Sequence, residues 1–162
     1  MRELTVRIQF TKHSLGNVKV QKTGRFEFAR NPTTGTIMFL PTWHLSNLRF
    51  AAQLLGRHQD TVKAIHWDVA VDGVVPAGSW YRRYFAVAGT RKQRFVLHEA
   101  FPPGHIIGLN CVVPENISDD AFWELMRIAG QYRGLSPAKP IEYGHFDVVS
   151  IRPRRNPNAC AD

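Results

Sequence analysis

Apolar and polar residues alternate at the start of the chain and recur with a helical period near its end. From Arg2 to Phe10 every second residue is apolar, which predicts a strand with one buried face and one polar, partly basic face. Between Ile117 and Ile151 the apolar residues first recur at helical spacing, which predicts a helix with one apolar stripe. The stripe consists of Phe122, Leu125, Met126 and Ala129.

The residues around this helix mark its two ends. Ser118 is suited to cap the first turn because its hydroxyl can accept a hydrogen bond from a free amide, and two aspartates follow it. Gly134 can take the left-handed conformation that ends a helix. We expect a loop with two prolines next, and then a closing strand that carries Phe146, Val148 and Ser150 on one face.

An earlier helix is predicted to begin at Pro41-Thr42, with Thr42 as its N-cap, and to stop at Gly56. Its apolar side consists of Leu45, Leu48, Ala52 and Leu55. The polar side is expected to carry His44, Ser46, Asn47, Arg49 and Gln53.

The segment before this helix contains turn and strand signals. A turn is expected from Lys12 to Asn17, followed by a return strand across Val18 to Phe28 that is interrupted near Gly24. Together with the first strand this pattern predicts a hairpin with a basic tip. A short strand is expected from Ile37 to Leu40.

The pattern of apolar residues in the middle of the chain predicts further strands. Val62 to Val71 and His105 to Val113 each have a strand-like pattern. Between them, Trp80 to Val87 and Gln93 to His98 form a predicted hairpin whose turn lies at Ala88 to Arg91. On its first strand, alternation puts the side chains of residues 80, 82 and 84 on one face and those of 81, 83 and 85 on the other.

This order of elements predicts an α+β fold of the split βαβ, ferredoxin-like type. Both helices are expected on one face of an antiparallel sheet, with an additional basic β-hairpin. Residues 1–151 are predicted to form a single domain. Residues 152–162 contain three arginines and two prolines without periodicity, and we expect a loosely attached tail there.

Composition narrows the class of partner. The 162 residues have a net charge of +8, which favours a polyanion such as nucleic acid or an anionic membrane face. Two cysteines without a paired spacing suggest a reduced compartment, and no apolar run approaches the roughly 20 residues that span a bilayer. We therefore expect a cytoplasmic protein that has no membrane partner.

Two segments resemble a known family. Leu40-Pro41 followed by Leu48-Arg49 resembles the first strand-to-helix passage of the RAMP superfamily, the RNA-binding subunits of CRISPR effector complexes. Residues 134–138, running into residues 143–146, resemble the C-terminal loop that precedes the last strand of that superfamily. Small phage-encoded proteins of the same general plan are more similar still. The resemblance implies a ferredoxin-like core that binds RNA or single-stranded DNA.

Aromatic and cationic residues alternate in the predicted hairpin, a combination that suits unpaired bases and phosphates. The candidate contacts there are Trp80, Arg82, Arg83, Arg91, Lys92 and Arg94. Candidates elsewhere are His44 and Arg49 on the first helix, and Lys12, Arg133, Lys139, Tyr143 and His145 in loops. The alternative is that the aromatic residues belong to the core and the cations form a solvated edge that resists aggregation.

The histidines raise the possibility of an enzyme. His13, beside a lysine in the first loop, is the best single catalytic candidate because RNA-cleaving members of the superfamily use an early histidine. No histidine pair has metal-ligand spacing, and no phosphate-binding glycine loop or GxSxG motif occurs. We therefore expect neither a metal nor a cofactor.

Three functions follow from these patterns. The first is a non-enzymatic protein that binds RNA or single-stranded DNA, polymerising along the strand as a homo-oligomer or joining other subunits. The second is a metal-independent endoribonuclease of the same fold. The third is a basic structural or interaction subunit of a phage or CRISPR-like assembly.

Overall fold

A computed structural model describes residues 1–138 and 142–155 of the chain. In this part the strands are β1 (Arg2–Phe10), β2 (Ser14–Leu15), β3 (Val18–Lys19), β4 (Phe26–Glu27), β5 (His66–Asp72), β6 (Trp80–Ala86), β7 (Gln93–Phe101), β8 (Ile106–Val113) and β9 (Phe146–Pro153). The α-helices are α1 (Pro41–Leu54) and α2 (Asp119–Tyr132), and a short 3₁₀ helix spans Gln59–Val62. The predicted α+β class is confirmed. Neither α-helix is long and apolar enough to cross a membrane within the described residues.

The larger sheet, which has fewer strands but more residues than the other, consists of four strands in the order β5, β8, β1, β9, and each neighbouring pair is antiparallel. The alternation predicted for β1 is confirmed, because Leu4, Val6, Ile8 and Phe10 are all buried. Both helices pack on this face, since one continuous core joins these side chains to apolar residues of α1 and α2. The other face of the sheet bears the polar side chains of β1.

A second sheet is organised around β7, which pairs with β2, β4 and β6, while β3 pairs with β4. It meets the Phe10 end of β1, where the rings of Phe10 and Phe101 stack with centroids 5.6 Å apart. Arg30 binds the buried Glu99 of β7 through both of its terminal nitrogens. This pairing satisfies the carboxylate in the interior and attaches the loop after β4 to β7.

The second helix agrees with its prediction. The Ser118 hydroxyl accepts a hydrogen bond from the Ala121 amide at 3.2 Å, which satisfies one free donor of the first turn. The predicted stripe is buried throughout, with Phe122 fully inaccessible and Leu125 2% exposed. Gly134 follows the helix with φ +79°, as expected for a helix-terminating glycine.

The first helix differs from its prediction at the cap and on its polar side. Leu40 is the N-cap and makes no side-chain cap, while Pro41 occupies the first turn, so the assignment of Thr42 as N-cap is wrong. His44 and Asn47 are buried instead of lying on the polar side. Asn47 is satisfied there because its side-chain amide donates to the Gly134 carbonyl.

The segment between β1 and α1 also differs from the prediction. The expected turn at residues 12–17 contains the buried strand β2, in which Leu15 pairs with Ala100 of β7. Strands β3 and β4 pair with each other, so the return strand does not lie beside β1. The strand expected from Ile37 to Leu40 is reduced to isolated bridges at Ile37 and Met38.

Two strands near the chain's middle and end have different limits from those predicted. Val62 belongs to the 3₁₀ helix, and β5 begins at His66. The pairing of β9 with β1 shifts register between Arg7 and Ile8, so the alternation of β9 does not continue unbroken. Val148 and Ile151 both pack against the core, and Ser150 is therefore not on the face of Phe146 as predicted. The strand continues through Arg152 and Pro153, past the predicted start of the tail.

Candidate nucleic-acid interface

The predicted hairpin is present and its two strands are in continuous register. Trp80 pairs with Glu99 and Ala86 with Gln93, and Gly89 takes φ +74° in the connecting turn. Because paired residues of antiparallel strands project to the same side, the face of Trp80, Arg82 and Tyr84 also includes Phe95 and Leu97 of β7. The separation of the two faces predicted from alternation is confirmed.

This face of the hairpin exposes three aromatic rings, an unusual arrangement for apolar side chains outside an interface. The exposed fractions are 36% for Trp80, 58% for Tyr84 and 48% for Phe95. The Arg82 guanidinium lies 5.1 Å from the centre of the Phe95 ring, and Arg25 lies at the same distance from the Trp80 ring. We call these five side chains the hairpin platform. Arg25 comes from the loop between β3 and β4, and sequence reasoning missed it.

Three further cations lie toward the turn, and one of them, Arg94, pairs with Phe85 and so is on the opposite face from the platform. Arg91, Lys92 and Arg94 are exposed, and none of them forms an ion pair with a carboxylate among the described residues. Their positive charges are therefore not neutralised within the described part of the chain. The hairpin thus combines exposed rings with uncompensated charge on one projecting element.

Arg83 is oriented differently from its neighbour Arg82. Its Nε donates to Nε2 of the buried His98 at 3.1 Å, and His98 Nδ1 donates to the Gly16 carbonyl at 2.6 Å. Burial lowers the pKa of His98, in keeping with a neutral ring that accepts from Arg83. The role of Arg83 is consequently tied to the packing of this sheet, whereas Arg82 belongs to the exposed platform.

On the same side as Arg83, the hairpin contacts two loop residues named as candidates. The Tyr81 ring lies 4.8 Å from the His13 ring and 5.3 Å from the Tyr143 ring, measured between centroids. Burial lowers the pKa of His13, which keeps its imidazole neutral at pH 7. Burial and then a hydrogen bond with Tyr81 raise the pKa of Tyr143 to about 12. The structure therefore brings His13 and Tyr143 together, although they are far apart in sequence.

The candidates on α1 and after α2 meet in one cleft. Arg49 and Arg133 both line a space of about 340 Å³ beside the polar side of α1. The Arg133 guanidinium lies 5.4 Å from the centre of the Phe50 ring. Residues from two separate candidate groups thus form a single cationic site.

Two predicted contacts lie in the interior. His44 is stacked on Trp67 with ring centroids 4.3 Å apart, and burial lowers its pKa to about 3. His145 is buried, and its Nδ1 lies 2.8 Å from the Gln131 carbonyl oxygen. Their predicted role as surface contacts for nucleic acid is not consistent with this burial. Lys12 is exposed, and Lys139 falls outside the described residues.

A further basic surface was not anticipated as a site. A shallow groove of about 520 Å³ on the open face of the larger sheet is lined by Arg7, Asn110 and Arg152, among others. The groove also includes Arg154, whose guanidinium pairs with Asp68 at 3.0 Å. The sequence places Arg152 and Arg154 in the predicted tail. They line the same groove as Arg7 because β9 continues beyond its predicted end. The polar alternation of β1 is the signal that could have revealed this face.

Within the part of the chain that the structure describes, no group of three or more histidine, cysteine or acidic side chains could hold a metal ion. Cys111 is buried in β8, and this burial raises the pKa of its thiol to about 12. Comparisons of the chain with protein-family models and with curated proteins give no match.

Proposed function

We propose that this protein binds RNA or single-stranded DNA without catalysis, using the hairpin platform as its principal contact surface. The observation that carries the proposal is the exposure of three rings on one hairpin face, interleaved with two guanidinium groups. Unpaired bases stack on such rings whatever their sequence, while arginines contact the phosphates between them. Duplex nucleic acid does not offer its base faces in this way.

Charge supports the same ligand class. The chain has a net charge of +8, and the exposed cations near the hairpin turn add to the charge of the hairpin without internal counterions among the described residues. An apolar protein partner would cover the rings, but it would leave these cations without a matching group. A strand of nucleic acid satisfies both features.

The proposed function includes a relation to the RAMP superfamily and a ferredoxin-like core. In chain order, β1, α1, β5, β8, α2 and β9 follow the βαββαβ pattern of that fold. The arrangement of these four strands with both helices on one face supports the proposal. In this proposal the chain is a subunit of a CRISPR-type or phage nucleoprotein assembly, with further copies or other subunits along the same strand.

Fluorescence anisotropy with labelled single-stranded RNA, single-stranded DNA and duplex of matched length tests the proposal. We expect both single strands to bind more tightly than the duplex, with affinity that falls as salt increases. Replacing Trp80, Tyr84 and Phe95 with leucine should weaken single-strand binding while keeping the charge unchanged. Equal affinity for duplex and single strands, or unchanged binding by this triple variant, would contradict the platform assignment.

A second function is favoured by the proximity of His13, Tyr81 and Tyr143. A neutral imidazole such as that of His13 can accept a proton from a ribose 2′-hydroxyl. This arrangement is suited to metal-independent RNA cleavage. Labelled RNA incubated with the protein in EDTA distinguishes the two functions. Cleavage that His13→Ala abolishes would establish the endoribonuclease, whereas intact RNA supports binding alone.

A further inference from the structure

The cleft between α1 and the end of α2 contains two arginines that have no carboxylate partner among residues 1–138 and 142–155. Neither Arg49 nor Arg133 forms an ion pair among the described residues. Asp60 is close enough to Arg49 for a weak electrostatic interaction, but its own ion pair is with Lys63 at 2.5 Å. Both residues are half-buried, so each side chain has lost part of its water without gaining a counterion from the described part of the chain.

The rest of the cleft is uncharged and partly apolar, because Leu45 and Phe50 also line it. Its polar lining includes the hydroxyls of Thr42 and Ser46 and the side-chain amides of Gln53 and Gln59, and no acidic residue of the described chain lines it. These groups can exchange hydrogen bonds with a sugar or a base, but they cannot neutralise two positive charges. An anionic ligand therefore fits the charge of this cleft better than a neutral one.

The size and surroundings of the cleft indicate more than a bare anion. A second cavity of about 210 Å³ shares Ser46 with the first and is lined by Trp43, Leu135 and Pro137. The first cavity alone has the volume of a small-ligand pocket, and the second adds an aromatic, partly apolar surface beside Ser46. A nucleotide has the corresponding arrangement, with a charged phosphate at one end and a flat base at the other.

We propose that this cleft binds a phosphorylated nucleotide, with its phosphate between Arg49 and Arg133 and its base toward Trp43. Arginine forks recognise phosphate oxygens in pairs, and two of them match the nearly dianionic charge of a terminal phosphate at pH 7. The ligand is either a free nucleotide or the phosphorylated end of a strand. For the strand end, the inference rests on the proposed function.

Isothermal titration calorimetry with adenosine 5′-monophosphate and with adenosine tests the cleft directly. We expect the nucleotide to bind at least tenfold more tightly than adenosine, because the nucleoside lacks the group that the arginines contact. Arg49→Gln combined with Arg133→Gln should remove this preference. Arg57→Gln with Arg127→Gln is the charge-matched control and should bind as the unmodified protein does. Equal affinities for nucleotide and nucleoside, or no effect of the cleft substitutions, would overturn the proposal.

Folding must be separated from binding because Arg133 is partly enclosed and its Nε has no hydrogen-bond partner within the residues that the structure describes. If thermal melting shows that the variant with both arginines replaced is unfolded, the single variant Arg49→Gln is used for the binding comparison instead. An oligonucleotide with a terminal phosphate, compared with the same sequence ending in hydroxyls, then identifies the source of the phosphate. A preference for the phosphorylated end that Arg49→Gln abolishes indicates a strand terminus, and binding of the free nucleotide alone indicates a small-molecule site.

The hairpin variants distinguish failure of the inference from failure of the proposed function. Substitution of Arg82, Arg91 and Arg94 should reduce strand binding but leave nucleotide binding unchanged. If the unmodified protein binds the nucleotide but no strand, the cleft assignment stands and the proposed function does not. If it binds strands but shows no preference for the nucleotide over adenosine, the cleft assignment is wrong.

Discussion

Replacing Arg82, Arg91 and Arg94 with glutamine is expected to weaken single-stranded RNA binding by about 100-fold at 0.1 M salt. These three are chosen because they are exposed and not bonded to a carboxylate within the described residues. Arg83 is left intact because its hydrogen bond to His98 supports the sheet. The variant therefore removes charge from the hairpin without opening the buried network behind it.

The magnitude follows from counterion release. Each single-strand phosphate neutralised contributes about 0.7 to the slope of log affinity against log salt, so three contacts contribute about 2. If the two proteins bind equally at 1 M salt, where this contribution vanishes, they should differ by about two log units at 0.1 M. Substitution of an exposed residue typically changes the free energy of unfolding by about 0.5 kcal/mol, so the variant should remain folded.

Anisotropy titrations of a labelled oligonucleotide measure the affinity of both proteins at salt concentrations from about 0.05 to about 0.5 M, where phosphate contacts dominate the affinity. The slope of log affinity against log salt is then compared between the two proteins. A control with Arg57, Lys63 and Arg127 replaced by glutamine has the same net charge but an intact hairpin. The reasoning is refuted if the hairpin variant and the control lose affinity equally, since only overall charge would then matter. Substitution of Arg7 and Arg152 with glutamine would test whether the open face of the larger sheet is the surface that contacts the phosphates instead.

Three other predictions concern the fold. Leu125→Ala should lower the free energy of unfolding by about 2–5 kcal/mol in chemical denaturation, because it empties a fully packed site between α2 and the sheet; an unchanged midpoint would contradict this packing. Gly144→Ala should lower the free energy of unfolding more than Gly89→Ala does. Both glycines have positive φ, but only at Gly144 would the new Cβ collide with the Leu135 carbonyl oxygen. Equal losses of stability in the two variants would exclude the steric effect. His44 has a pKa near 3 when folded and a higher one when unfolded, so stability should be complete above about pH 6.5 and fall as pH decreases toward 3. His44→Phe should flatten that decrease in urea denaturation, and an unaltered pH profile would show that His44 is not its source.

The elements predicted best are those whose signal is local and repeated. The alternation of β1 and the stripe of α2 extend over many residues, so each indicates both the type of element and its buried face. The turn at Gly89 likewise separates two long strands. In these cases the chain's own periodicity agrees with the tertiary environment, and the prediction required no knowledge of distant segments.

The elements that were missed depend on distant partners. Leu15 belongs to a two-residue strand that exists because β7 lies beside it, and so short a segment has no period of its own. Asn47 was assigned to the polar side of α1 because amides are usually exposed. Its burial depends on a carbonyl 87 positions later in the chain, which accepts its hydrogen bond. Such pairings cannot be inferred from spacing along the helix.

The candidate site was predicted in parts but not as an arrangement. Alternation correctly separated Arg82 from Arg83, yet the sequence could not indicate that Arg83 is engaged by His98 or that Arg25 approaches Trp80. The convergence of Arg49 and Arg133 likewise depends on the packing of α1 against α2. Residue type and exposure identify possible contacts, whereas the fold determines which of them act together.

The glycines of the loop after α2 show how this region could contact phosphate. A Cβ on Gly134 would lie 2.5 Å from the Gly144 backbone, and the Leu135 amide donates to the Gly144 carbonyl at 2.8 Å. The two glycines therefore allow two stretches of this loop to cross at close range, and their adjoining backbone faces each other instead of a ligand. A phosphate near the crossing must then be held mainly by side chains. In the proposed nucleotide site, Arg133, immediately before Gly134, and Arg49, which lines the same cleft, are the cations assigned to that role.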